Sequence, residues 1–123
     1  MKTPKANCYA KNCPSRLVLE RLSDKWTILI ICLLKDKPLR FNQLKNSIQG
    51  ISQKVLTTNL RKLEADGVIT RTVFDESVIK VEYSITGLGH ELTKIFISVK
   101  DWAEKNWKQV GSCNEKFENK KKA

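Results

Sequence analysis

Apolar residues recur along this chain in two rhythms, and the change from one to the other divides it. From Arg16 to Leu22 the residues Leu17, Val18, Leu19 and Leu22 keep helical spacing, and Ser23-Asp24 then offers a cap for a second helix. Lys25 to Lys35 carries Trp26, Ile28, Leu29, Ile30, Ile31, Leu33 and Leu34 around nearly its whole circumference, the pattern of a central buried helix in which Cys32 serves as a small hydrophobe. Pro38 closes that segment, and Phe41, Leu44 and Ile48 form the single stripe of a short third helix. After the turn Gln49-Gly50-Ile51, Ser52 is placed to cap a fourth helix reaching about Asp66, with Gly67 at a left-handed stop. Two helices meeting across a Gly-containing turn make a helix-turn-helix.

Beyond Gly67 the rhythm alternates. Ile79, Val81, Tyr83 and Ile85 share one face of a strand, Lys80, Glu82 and Ser84 the other, and Val68 to Phe74 is a rougher partner. Asp75-Glu76-Ser77 makes the tip of the hairpin. Thr86 can then cap a last helix from about Leu88 to Val110, which carries Leu92, Ile95, Phe96, Val99, Trp102, Ala103 and Trp107. The fold class expected is mainly α with a small β-hairpin: a winged helix-turn-helix followed by a long C-terminal dimerisation helix. Its divisions are a mobile N-terminal arm over 1–14, a DNA-binding domain over 15–86, a dimerisation helix over 87–112 and a disordered basic tail over 113–123.

Charge narrows the partner. The 123 residues carry a formal +10, which favours a polyanion, and the length suits one domain. Between Lys35 and Lys62 stand Lys35, Lys37, Arg40, Lys45, Lys54, Arg61 and Lys62 against Asp36 as the sole acid. With Leu56, Leu60 and Leu63 turned inward, the fourth helix presents Lys54, Thr58 and Arg61, flanked by Thr57 and Gln53. Gln suits adenine, Arg and Lys suit guanine, Thr suits the thymine methyl, and Ser52 at the helix start suits a phosphate. Arg40 belongs to the same basic unit, and Arg71 and Lys80 are candidate hairpin contacts to phosphate or the minor groove.

At these residues the chain resembles the HxlR family of bacterial regulators, relatives of the MarR type. The resemblance is carried by CPSRLVLERLSDKWTILIICLL (13–34), LRFNQLKNSIQGISQKVLTTNLRKLEADGVITR (39–71) and KVEYSITGLG (80–89). It implies a sequence-specific DNA-binding transcriptional regulator acting as a homodimer on a palindromic operator, with Ser52 to Arg61 as recognition helix and Arg71 to Lys80 as wing. The wing tip departs from the family, which often has prolines where this chain has Asp75-Glu76-Ser77-Val78-Ile79. Lys80 also stands where Arg is common, which keeps the charge and loses the planar fork.

The apolar band of the last helix is wider than one protomer can cover, so Leu92, Phe96, Val99, Trp102 and Trp107, with Leu17 of the first helix, are the expected dimer interface. Cys13 precedes Pro14 at a helix start with Lys11 and Arg16 nearby, a setting that stabilises a thiolate. In the resembled family a cysteine at this Cys-Pro position recurs, and some members respond through it to oxidants or electrophiles. Cys13 is therefore the candidate redox sensor, with Cys8 or Cys113 as its candidate partner and an oxidant or small molecule as effector.

Other classes have less support. Cys8, Cys13 and His90 lack the spacing of a zinc set, and there is no phosphate loop, activated nucleophile or paired acids, so neither a metal, a cofactor nor enzymatic activity is expected. No apolar run approaches the ~20 residues of a membrane span and the N-terminus lacks a signal segment, so a cytoplasmic protein without membrane association is expected. A winged helix used as a protein-interaction module is the principal alternative, with RNA binding behind it. Both are disfavoured by the polar face of the fourth helix. A thiol oxidoreductase would call for Cys-x-x-Cys beside a βαβ unit, and neither is present.

Overall fold

Among residues 5–122, which the computed structural model describes, the elements run α1 (Pro14–Leu22), α2 (Lys25–Leu34), α3 (Phe41–Ser47), α4 (Gln53–Ala65), β1 (Ile69–Phe74), β2 (Lys80–Ile85) and α5 (Gly87–Lys122). This is a winged helix-turn-helix with a long C-terminal helix. Several boundaries follow from a local cap. Asp24 accepts the Trp26 N–H at 3.4 Å to open α2, the Gln43 side chain accepts the Arg40 N–H at 2.8 Å to open α3, and Ser52 Oγ accepts the Val55 N–H at 3.1 Å to open α4. Helix α4 ends in a Schellman motif: Val68 N–H donates to Leu63 O and Gly67 N–H to Glu64 O, both at 3.0 Å, with Gly67 at φ +76°.

The core gathers where α2 crosses the other elements. Ile30, Ile31 and Leu34 of α2 are fully enclosed with Leu44 of α3, Leu56, Leu60 and Leu63 of α4, Ile69 of β1 and Phe96 of α5. Burying each such side chain stabilises the fold by about 1.5–3 kcal/mol. Strands β1 and β2 are antiparallel with Ile69 opposite Ile85 and Phe74 opposite Lys80. A residue before α3 adds a third, minimal strand: Leu39 and Tyr83 exchange both backbone hydrogen bonds, at 3.0 and 2.8 Å.

Thr86 ties the hairpin to α5. Its N–H donates to Val68 O at 3.1 Å, its Oγ1 accepts the Gly89 N–H at 3.1 Å, and its carbonyl accepts the His90 N–H at 2.8 Å. Gly89 permits the close approach, since a Cβ there would strike the Val68 carbonyl oxygen and come within 2.8 Å of Ile85 Cγ1.

Three expectations are corrected. Helix α5 does not stop near Val110 but continues to Lys122, so residues 113–122, expected as a disordered tail, are helical. One glycine inside a helix costs only about 1 kcal/mol, and Lys120, Lys121 and Lys122 complement the negative end of the helix dipole. The arm is not loose throughout: residues 8–12 form turns fastened by Arg16, whose Nε donates to Cys8 O and whose Nη2 donates to Tyr9 O, each at 2.9 Å. Residues 1–4 of the expected arm and 123 of the expected tail lie outside the described residues. Phe96, expected at a dimer interface, is buried in its own protomer because it faces α2 across the α2–α5 contact.

Candidate nucleic-acid interface

Helix α4 is amphipathic in the sense its sequence demands. Leu56, Asn59, Leu60 and Leu63 are buried, while Gln53, Lys54, Thr58 and Arg61 are exposed and Thr57 is half-buried. The inner face holds one polar side chain that the apolar periodicity did not single out. Asn59 Nδ2 donates to Val55 O at 2.9 Å within α4, and its Oδ1 accepts the Thr27 hydroxyl of α2 at 3.3 Å. A buried polar contact with this geometry sets the rotation of α4 about its axis, and with it which side chains point outward. Its one signal in the sequence is position, three residues after Leu56 and four before Leu63.

Ser52 uses its oxygen lone pair for the cap, which leaves its hydroxyl hydrogen free to donate to an anion. Arg40 is exposed just before α3, and Lys45 is half-buried on α3.

The two wing cations part company. In the register of the hairpin, Arg71 stands opposite Tyr83 and Lys80 opposite Phe74, so alternation puts them on opposite faces. Arg71 lies on the face that continues Ile69 and Ile85 toward the core, and its side chain turns to α4. Lys80 lies on the outer face, ion-paired with Glu82 at 3.0 Å and 5.7 Å from the centre of the Phe74 ring. Between the hairpin, α3 and α4 there is a cleft of about 380 Å³ lined by Phe41, Thr57, Leu60, Arg61, Glu64, Arg71 and Tyr83. Sequence reasoning missed Tyr83 as a lining residue because its place depends on the pairing with Leu39.

Of the cysteines, Cys13 has the organised surroundings. Its Sγ accepts the Asn7 N–H at 3.2 Å and lies 3.1 Å from the Ser15 hydroxyl. The Ser15 hydrogen bond first, and the Asn7 N–H after it, hold its thiol below the usual thiol range. The cause differs from the one expected: Arg16 is turned to backbone carbonyls, and hydrogen bonds act in place of nearby cations. Cys8 and Cys113 are exposed. Burial pushes the half-buried Cys32 thiol up.

The remaining apolar surface follows α1 and α5. Helix α1 buries none of its residues, and Leu17, Val18 and Leu19 are each more than half exposed. On α5, Ile95, Val99, Trp102 and Trp107 are exposed, and Leu92 is half-buried. Val18, Leu22, Leu88, Leu92 and Ile95 line a groove of about 450 Å³ between the two helices. No described helix is long and apolar enough to cross a membrane.

This geometry has counterparts. Residues 21–111 match the family model described as HxlR-like helix-turn-helix. The chain is 36% identical over 104 residues to the uncharacterized HTH-type transcriptional regulator YtfH of Escherichia coli (strain K12), a match that covers 85% of this chain and 82% of that protein. A solved ytfH structure from Salmonella typhimurium superposes with a TM-score of 0.83 at 36% identity, over 90% of this chain and 99% of that one. The redox regulator HypR in its reduced form gives a TM-score of 0.72 at 35% identity, over 80% of this chain and 98% of that one.

Proposed function

The chain belongs to the HxlR-like helix-turn-helix family and is a transcriptional regulator, and we propose that it acts in the cytoplasm as a homodimer that reads a palindromic operator with α4. The observation that carries this reading is the division of α4. Its inner face is locked to α2 by Leu56, Leu60 and the Asn59–Thr27 hydrogen bond, and its outer face offers Gln53, Lys54, Thr58 and Arg61 to solvent. An α-helix fits the major groove, and Gln53, Lys54 and Thr58 carry the donors, acceptors and methyl contact that distinguish base edges there, with Arg61 further along the same face. Arg40, Ser52, Thr57, Arg71 and Lys80 are assigned to its border, with Lys80 the weakest member because Glu82 already compensates it.

Dimerisation is supported by the exposed apolar surface. Leu17 on α1 and Val99, Trp102 and Trp107 on α5 would be costly to leave in water, and an isologous contact of the two helices with their copies would cover them. Leu92 borders that surface, and Phe96 lies behind it.

A response to oxidants or electrophiles is part of the proposal. It is supported by the likeness to the redox regulator HypR and by the hydrogen bonds that favour a thiolate at Cys13. Cys8 or Cys113 would be the second thiol.

Footprinting and anisotropy titration of the DNA beside the gene test the reading. A protected near-palindrome with half-sites about 10 bp apart, or a multiple of that, is expected. Equal affinity for that DNA and for unrelated duplexes would reject it.

A further inference from the structure

The cleft between α4 and the wing brings together groups that the sequence places far apart. Arg61 and Thr57 come from α4, Arg71 from β1 and Tyr83 from β2. Both backbone groups of Tyr83 are engaged by Leu39, so its pairing with Arg71 is of the non-hydrogen-bonded kind, in which the two side chains stand closest. Tyr83 is thereby held from both sides, by Leu39 on one edge and β1 on the other. Among the described residues neither Arg61 nor Arg71 is in an ion pair, and Tyr83 lines the same cleft. Glu64 borders the cleft without closing on either guanidinium. Two arginines lining one cleft place like charges on it that an anion would compensate, and Arg is the cation whose fork fits an oxyanion. The apolar floor of Phe41 and Leu60 strengthens that attraction by keeping water from one side.

We infer that this cleft is an oxyanion site that seats one phosphodiester of the operator backbone, with Arg61 and Arg71 as its cations and the hydroxyls of Tyr83 and Thr57 as donors. The inference rests on the DNA-binding reading above. A backbone phosphate is favoured over a free anion because Arg61 and Thr57 of the cleft belong to the same helix as Gln53, with Arg61 about two turns further along, and the reading above lays that helix against DNA. Arg61 then fixes register and carries no sequence information, unlike Gln53 and Lys54. Wing and recognition helix grip the same phosphate, which couples the angle of the wing to the seating of α4.

The test replaces single operator phosphates by neutral methylphosphonates and titrates each duplex with the full-length protein and with Tyr83→Phe, Arg61→Gln, Arg71→Gln and Gln53→Ala. The Tyr83→Phe change keeps the ring, and circular dichroism melts confirm that each variant folds. One position per half-site is expected to weaken wild-type binding about tenfold and to lose that effect in Arg61→Gln and Arg71→Gln, with a smaller effect in Tyr83→Phe. Both arginine variants should lower the slope of log K against log salt by about 1 and leave base preference unchanged, while Tyr83→Phe leaves the slope as it was. Methylphosphonate effects identical in wild type and all three cleft variants overturn the proposal, as does a change of base preference in Arg61→Gln. Binding of inorganic phosphate to the free protein that is lost in Tyr83→Phe, without any methylphosphonate effect, would assign the cleft to a free anion and overturn it too. If Gln53→Ala alters base preference in the same series, the DNA-binding reading stands whatever the cleft does.

Discussion

Thr27 of α2 donates its hydroxyl hydrogen to Asn59 Oδ1 of α4 across 3.3 Å, and both residues are buried in an otherwise apolar contact. Removing one partner strands the other. Asn59→Leu is expected to destabilise the fold by about 1–3 kcal/mol, and Thr27→Val by a comparable amount, whereas the two together should cost less than the sum. Urea denaturation of the four proteins checks this. Additive losses would mean that the hydrogen bond contributes nothing of its own.

Gly89 lies where α5 meets the base of the wing, against the Val68 carbonyl and Ile85. Gly89→Ala must push α5 off the hairpin or distort both, at a cost on the order of 1–3 kcal/mol or more. Gly87→Ala, two residues earlier with open space around it, is the control. Thermal melts should show a drop for the first and little change for the second.

The exposed stripe of α5 predicts the behaviour of the oligomer. Trp102→Glu, or Val99→Asp, places a charge in the proposed contact without touching the buried set of the protomer. Light scattering at micromolar concentration should show the wild type as a dimer and the variants as folded monomers. A dimer unaffected by either change would place the interface elsewhere.

Thiol chemistry should follow the hydrogen bonds at Cys13. Ser15 and Asn7 stabilise the thiolate and lower its pKa, while burial raises that of Cys32. Alkylation of Cys13 is therefore expected to reach its plateau at lower pH than alkylation of Cys32, and Ser15→Ala should move the Cys13 profile upward. In the functional counterpart, diamide should weaken DNA binding by wild type and spare Cys13→Ser. Equal sensitivity of the two proteins would remove Cys13 from the response.

The two wing cations should differ in what their loss does. Arg71→Gln is expected to weaken operator and unrelated DNA together by about tenfold, since its side chain faces α4. Lys80→Gln, already paired with Glu82 at 3.0 Å, should change affinity by much less. Anisotropy titrations at one salt concentration are sufficient to rank them.

Much of what depends on neighbours within about four residues was legible in the sequence, though not the end of α5, expected near Val110 and found at Lys122, nor the hydrogen bond between Ser15 and Cys13. The apolar rhythm placed α2, α3 and α4, and the caps at Asp24, Ser52 and Thr86 and the stop at Gly67 are each made by groups a few positions away. The outer face of α4 was legible for the same reason, because a helix of known period with a known inner face leaves no choice about the other. Tertiary structure alone decided the rest. It set the pairing of Leu39 with Tyr83, put Arg71 and Lys80 on opposite faces of the wing, buried Phe96 within its own protomer and gave Asn59 a partner 32 positions away. A strand alternates with a fixed period, but which of its faces meets a helix depends on register, and register is fixed by contacts between segments distant along the chain. A band of apolar residues on α5 is likewise the same pattern whether α2 or a second copy covers it, and only the packing of α2 against Phe96 separates the two.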